Sequence, residues 1–170
     1  MRTVYLIVAL LISFHSFAQN GFAKQFRDIV NDTANGFPNF RGEETMKGEL
    51  TTRTKYAGYI SLITLENTSK NNIHYMSGSM LSVYSYDVLI ADSVKEADGK
   101  KICDELKDKV ALITGPGYVI KKYERVPLLG KYGWNFFKGE LNISIDLSPI
   151  ETTELNRVGL SIAYTIYKVR

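Results

Sequence analysis

The sequence predicts an α+β domain in which antiparallel strands dominate and two helices pack on one face of the sheet. Three observations support this class. Two segments have apolar residues at helical spacing, several others alternate strictly between apolar and polar residues, and the predicted strands follow one another through short links. The predicted order is helix, three strands, helix, three strands (αβββ-αβββ). This order is consistent with a duplicated unit, although the halves share no convincing residue-level repeat.

Two helices are predicted from apolar periodicity. The first covers about residues 22–35 and ends at Asn35-Gly36, because these residue types readily adopt the left-handed conformation that terminates a helix. The second begins near Asp92-Ser93, which are good N-cap residues, and ends at Gly115-Pro116-Gly117. Its apolar face is formed by Ile102, Leu106, Val110 and Ile113.

Strands are predicted for most of the remaining chain. The clearest cover 141–147 and 158–166, where alternating apolar residues indicate one buried and one solvated face. Weaker strand patterns cover about 45–54, 56–66, 73–88 and 118–126. Lys70-Asn71-Asn72 is interpreted as a hairpin turn, since Asn tolerates a positive φ.

The order of these elements resembles two known architectures, the secretion-chaperone fold and the TATA-binding-protein-like fold. The resemblance concerns the arrangement of helices and strands only. Because one architecture hosts many unrelated functions, it implies no activity for this chain.

The first eighteen residues have the three parts of a secretory signal peptide. Arg2 provides a basic start, residues 4–12 form an apolar run, and Ser16-Phe17-Ala18 places small residues at a cleavage site. The apolar run is too short to span a membrane, which takes about 20 residues. We therefore expect cleavage after Ala18, a single α+β domain over 19–170 without a membrane span, and a secreted or periplasmic location.

Composition argues against several classes of function. The formal net charge is +3, which is too small to indicate nucleic acid as the partner. The single cysteine, Cys103, cannot form an internal disulfide and is predicted to be a small buried hydrophobe. His74 is the only histidine after cleavage, so we predict neither a metal site nor a cofactor.

Catalytic residues are not predicted either. His74 lies at the start of a predicted strand with no motif around it, and it is interpreted as a surface or strand-edge residue. Glu140 and Asp146 share one predicted strand but lie about 20 Å apart at the rise of a strand. They therefore cannot act together as a pair of catalytic carboxylates.

Aromatic residues are the clearest candidates for binding. The segment 130–139 places four aromatics between glycines and is interpreted as an exposed turn, and the loop 36–42 contains two more. Tyr and Trp suit binding surfaces because each combines an apolar body with a polar tip. The predicted binding residues are Trp134, Tyr132, Phe37 and Arg41. Packing in the core is the alternative interpretation of Trp134.

The expected function is that of a non-catalytic binding or structural domain, exported to a bacterial cell envelope. Its ligand is expected to be a protein, a small molecule or a glycan. Two alternatives stay open. One is a small exported hydrolase that uses carboxylates or His74, and the other is a chaperone-like homodimer that holds another exported protein on an exposed sheet face.

Overall fold

A computed structural model describes residues 21–51, 54–126, 130–151 and 153–168. Within these residues, the fold consists of one antiparallel sheet of eight strands and two helices. The first helix, α1, covers 21–32 and continues into a short 3-10 turn over Thr33–Asn35. The proposed signal peptide, residues 1–18, lies outside the described residues.

The strands form two consecutive meanders. The first contains β1 (Arg41–Thr51), β2 (Thr54–Ser61), β3 (Ser69–Ser77) and β4 (Leu81–Val94). The helix α2 (Glu96–Thr114) separates it from the second, which contains β5 (Val119–Val126), β6 (Gly130–Lys138), β7 (Leu141–Pro149) and β8 (Asn156–Tyr167). In the sheet the order is β1-β2-β3-β4-β8-β7-β6-β5, so β4 and β8 pair at the centre.

The predicted number of strands is wrong, since four strands follow each helix instead of three. The predicted strand 73–88 is two strands, β3 and β4, joined by a turn in which the Gly78 N–H donates to the carbonyl of Leu81. The segment 130–139, interpreted as a turn, contains strand β6. Its glycines and aromatics suggested a turn, but all seven residues over 132–138, including Gly133, pair regularly with β7.

The start of α2 also differs from the prediction. Asp92 and Ser93 belong to β4, and α2 begins at Glu96 after an extended N-cap residue, Lys95. Between the pairs Ala91↔Val158 and Val94↔Asn156, β4 advances three residues while β8 advances two. Ser93 adopts a φ of 58° within this bulge. Residue types that favour an N-cap also tolerate a bulge, so the sequence did not distinguish the two.

One face of the sheet, here named the covered face, contacts α2. Along β7 the buried residues are Leu141, Ile143, Ile145 and Leu147, and α2 makes contacts with β4, β6, β7 and β8. Buried residues of α1, including Phe22, Phe26 and Ile29, belong to the same apolar cluster as those of α2 and the strands. The residues that alternate with these on the strands point to the opposite side, here named the open face.

Cys103 is fully buried in this cluster, as predicted. Burial raises the pKa of its thiol to about 12, and the nearby carboxylates of Asp146 and Asp104 act in the same direction. Since the thiolate is the reactive form, this cysteine is chemically inert in the folded protein.

Candidate functional site

The open face has a hollow of about 280 Å³ at the centre of the sheet. Gly159 on β8 provides its floor, because a Cβ added there would meet no atom closer than the Val88 carbonyl oxygen at 3.7 Å. Leu89 on β4 and Asp146 on β7 lie opposite Gly159 in the two neighbouring strands. The polar residues that line the hollow are Lys70, Asn72, Asp87, Asp146, Ser148, Arg157 and Ser161.

Two carboxylates border the hollow from opposite sides of β8. Asp87 on β4 lies opposite Ser161, and Asp146 on β7 lies opposite Gly159. Both side chains belong to the open face because Asp87 alternates with buried Tyr86 and Val88, as Asp146 does with its buried neighbours on β7. The two acids are therefore offset diagonally by two residues across the central strand.

Asp146 is held by two hydroxyl groups. The Tyr123 hydroxyl donates to Oδ1, and the Ser144 hydroxyl donates to Oδ2 at 2.9 Å. Burial disfavours the charged carboxylate and raises the pKa of Asp146 above its usual range. The charge of Asp87 acts in the same direction, while the two hydrogen bonds oppose it. Gly133 leaves room for this arrangement, since a Cβ there would clash with the Tyr123 hydroxyl and with the carbonyl of Ile145.

Lys70 reaches the hollow from a bulge in β3. Between the pairs Ser69↔Leu89 and Asn72↔Asp87, β3 advances three residues while β4 advances two. Within the bulge Lys70 has a φ of 52°, a left-handed conformation that is uncommon for a residue other than glycine. The residues Lys70-Asn71-Asn72, interpreted from the sequence as a hairpin turn, therefore lie inside a strand, and the chain turns earlier, over 62–68.

The neighbouring Asn71 fixes this bulge to the core. Its Oδ1 accepts hydrogen bonds from the Tyr86 hydroxyl at 2.6 Å and from the Thr68 hydroxyl at 3.2 Å. Tyr86 is fully buried, and burial raises its pKa to about 12. A core tyrosine therefore stabilises the backbone that presents Lys70 on the other face of the sheet.

A second hollow of about 260 Å³ adjoins the first and shares Asp87. The Ser85 hydroxyl donates to Asp87 Oδ2 at 2.7 Å, and His74 Nε2 lies 3.7 Å from the same oxygen. The other ring nitrogen of His74, Nδ1, lies 2.5 Å from the Tyr56 hydroxyl. His74 is thus neither isolated nor at the edge of the sheet, because β3 has strands on both sides.

The two cations of the first hollow are not neutralised by the protein. Neither Lys70 nor Arg157 forms a salt bridge or a side-chain hydrogen bond with any residue in the described part of the chain, and both side chains are exposed. Asp87 and Asp146 instead accept hydrogen bonds from hydroxyl groups. The hollow therefore offers two free cationic groups and two carboxylates at one place.

Tyr132 and Trp134, two of the predicted binding residues, lie on the covered face of β6. The Tyr132 hydroxyl donates to Oδ1 of Asp104 on α2 at 2.5 Å, and Trp134 Nε1 donates to the same oxygen at 2.8 Å. Tyr132 is buried, and Trp134 is partly buried against the core cluster. The structure thus places both rings between the sheet and α2.

Phe37 and Arg41, the other two, lie on other elements of the fold. Phe37 is fully buried beside Tyr86, with ring centroids 6.2 Å apart. Arg41 begins β1 and lies over the ring of Tyr59 at 5.0 Å. Since β1 and β6 are separated by five strands, Arg41 and Trp134 lie roughly 29 Å apart along the sheet. The four residues do not form one site, and their role in binding stays a prediction.

Two features are absent from the described residues. Within them, no group of three or more His, Cys, Asp or Glu side chains is arranged to hold a metal ion. The same residues include no helix with both the length and the apolar content needed to cross a membrane.

Comparison of this chain with family models, curated proteins and solved structures found no match.

Proposed function

We propose that this protein is an exported, non-catalytic binding domain of a bacterial cell envelope that takes a small polar ligand on the open face of its sheet. The observation that carries the proposal is the hollow above Gly159, where unpaired Lys70 and Arg157 share one space with two carboxylates. Most of a sheet face can be covered by ordinary solvated side chains. A concave region with convergent, unpaired polar groups is instead typical of a ligand site.

The size of the hollow indicates the size of the ligand. Sites for small molecules commonly measure about 300–1,000 Å³, so a hollow of about 280 Å³ suits a molecule of monosaccharide or amino-acid size. The site is also built on paired strands at the centre of the sheet, where the backbone is fixed by neighbours on both sides. Such a rigid framework reduces the conformational entropy that the protein loses when a ligand binds.

A screen of small polar molecules by thermal shift tests this proposal, with Gly159→Val as the matched variant. Valine suits a strand, and nothing near Gly159 opposes its Cβ, so the variant should fold while its side chain fills the hollow. We expect at least one compound that raises the melting temperature of the wild type and leaves that of Gly159→Val unchanged. If every stabilising compound acts equally on both proteins, the hollow is not the binding site.

Export has its own support and its own test. The first support is that residues 1–18 contain a basic start, an apolar run and small residues at the expected cleavage site. The second is that the single cysteine, Cys103, is buried, so a protein without a disulfide has no exposed thiol to oxidise in such a compartment. The intact mass of the protein recovered from the periplasm or the medium should correspond to a chain that begins at Gln19. Recovery of the full-length chain from the cytoplasm would contradict export.

The arrangement Tyr56–His74–Asp87 favours a second candidate, a small exported hydrolase. Here Asp87 would orient His74, and His74 would accept a proton from the Tyr56 hydroxyl, which lies 2.5 Å from Nδ1. Screening with ester, amide and glycoside substrates would detect such an activity. Loss of turnover in both His74→Gln and Tyr56→Phe, with unchanged melting temperatures, would favour the hydrolase over the binding domain.

A further inference from the structure

The charges of the hollow suggest the charge of its ligand. Lys70 and Arg157 contribute two positive charges and Asp87 and Asp146 two negative ones, so the formal charges of the four groups sum to zero. At the same position, a dianion such as a phosphate monoester would be repelled by the two carboxylates about twice as strongly as a monoanion. A carboxylate carries one negative charge, and the planar guanidinium of Arg157 matches it with two parallel hydrogen bonds.

The uncharged and acidic groups suggest what else the ligand carries. Ser148, Ser161 and Asn72 present hydroxyl and amide groups to the same space. Each carboxylate can accept about four hydrogen bonds, and the protein supplies one or two of these to Asp87 and Asp146 through hydroxyl groups. Acceptors therefore remain for several donors of the ligand, more than the single ammonium group of a free amino acid would fill.

The backbone of Lys70 gives independent support. A lysine in the left-handed region costs free energy that a glycine or an asparagine would reduce, and Asn71 and Tyr86 hold the chain in this conformation. Bulges often re-aim a side chain beside a functional site. The bulge here brings an unpaired cation to the rim of the hollow.

We infer, resting on the proposed function, that the ligand is a hydroxylated monocarboxylate of sugar size, such as a hexuronic acid. Arg157 and Lys70 bind its carboxylate, and Asp87 and Asp146 accept hydrogen bonds from its hydroxyl groups. This assignment distinguishes the ligand from a neutral sugar, which lacks an anion for Arg157 and Lys70, and from a sugar phosphate, whose second negative charge Asp87 and Asp146 would repel further.

Isothermal titration of the purified protein at pH 7 with glucuronate, glucose and glucose 6-phosphate tests the inference. Glucuronate should bind at least tenfold more tightly than either of the others. Arg157→Gln and Lys70→Asn should each weaken glucuronate binding at least tenfold, whereas Lys101→Gln, on the exposed side of α2, should have no effect. Asparagine tolerates the left-handed backbone, so Lys70→Asn should be at least as stable as the wild type while it loses affinity.

Equal affinity for glucuronate and glucose, tighter binding of glucose 6-phosphate, or undiminished glucuronate binding by Arg157→Gln would each overturn the inference. Failure of the inference and failure of the proposed function give different results. If a neutral compound binds the wild type but not Gly159→Val, the hollow is a binding site and only the assignment of a carboxylate is wrong. If neither glucuronate nor any screened compound is sensitive to Gly159→Val, both are wrong.

Discussion

The two faces of strand β7 are built from residues of opposite character. On the covered face, Ile143, Ile145 and Leu147 are fully buried against the apolar cluster. On the open face, Ser144 and Asp146 belong to a hydrogen-bonded group that also includes Tyr123. Apolar packing is non-directional and follows from alternation alone, whereas the polar arrangement depends on which strands become neighbours. The covered face therefore explains why the chain folds, and the open face is where a ligand is expected.

Two neighbouring phenylalanines on β6 give the largest expected contrast between the faces. Phe136 is fully buried on the covered face, and Phe137 is 37% exposed on the open face. Phe136→Ala should lower the free energy of unfolding by about 3–5 kcal/mol because it leaves a cavity in the core. Phe137→Ala should cost about 1 kcal/mol or less, as at partly exposed positions. Urea unfolding of both variants measures the difference, and similar losses would contradict the assignment of the faces.

Trp134 tests whether the predicted aromatic site belongs to the covered face. Its ring packs against the core, and its Nε1–H donates to Asp104 on α2. Trp134→Ala should destabilise the protein by about 3 kcal/mol through lost packing and the loss of one of the two hydrogen bonds that Asp104 Oδ1 accepts. Chemical unfolding provides the measurement, with Asp104→Asn as a control that keeps an acceptor oxygen. A loss below about 0.5 kcal/mol would instead favour a surface role in binding.

A smaller effect concerns the partly buried carboxylate of Asp146 on the open face. The pKa of Asp146 in the folded protein is raised above the ordinary value of 3.8, mainly by burial. The folded protein therefore binds this proton more tightly than the unfolded chain, so protonation of Asp146 stabilises the fold. The stabilisation is complete below pH 3.8 and is lost as the pH rises through the raised pKa.

Asp146→Asn removes this titration and keeps an oxygen that can accept from Tyr123. The difference in melting temperature, variant minus wild type, should therefore increase as the pH rises from about 4. It should level off above the pKa of Asp146 in the folded wild-type protein. Melting curves over this range provide the test. A difference that stays constant with pH would show that Asp146 titrates as an ordinary exposed carboxylate.

Much of the covered face could be predicted from the sequence. The alternation over 141–147 and 158–166 gave β7 and β8, helical spacing gave α1 and most of α2, and the apolar setting of Cys103 indicated its burial. These patterns are local, since core-facing residues recur at every second position in a strand and at every third or fourth position in a helix. They required no knowledge of which strand pairs with which.

The open face could not be predicted in the same way. Asp87 and Asp146 are remote in the sequence and become neighbours only because β8 pairs with both of their strands. The bulge at Lys70 depends in part on Tyr86, which lies on the next strand and donates to Asn71. One signal was available: Gly159 interrupts an otherwise regular strand, and a glycine within a strand often marks a close approach of another group.

The most direct test of the account is a map of backbone amide shifts by NMR as glucuronate is added to the ¹⁵N-labelled protein. We predict that the perturbed amides cluster around the hollow, in the segments 70–72, 87–89, 146–148 and 157–161. The amides of α2 and of the covered-face residues Tyr132 and Trp134 should remain unchanged. Perturbations centred on α2 and β6, or on Phe37 and Arg41, would contradict the placement of the binding site on the open face.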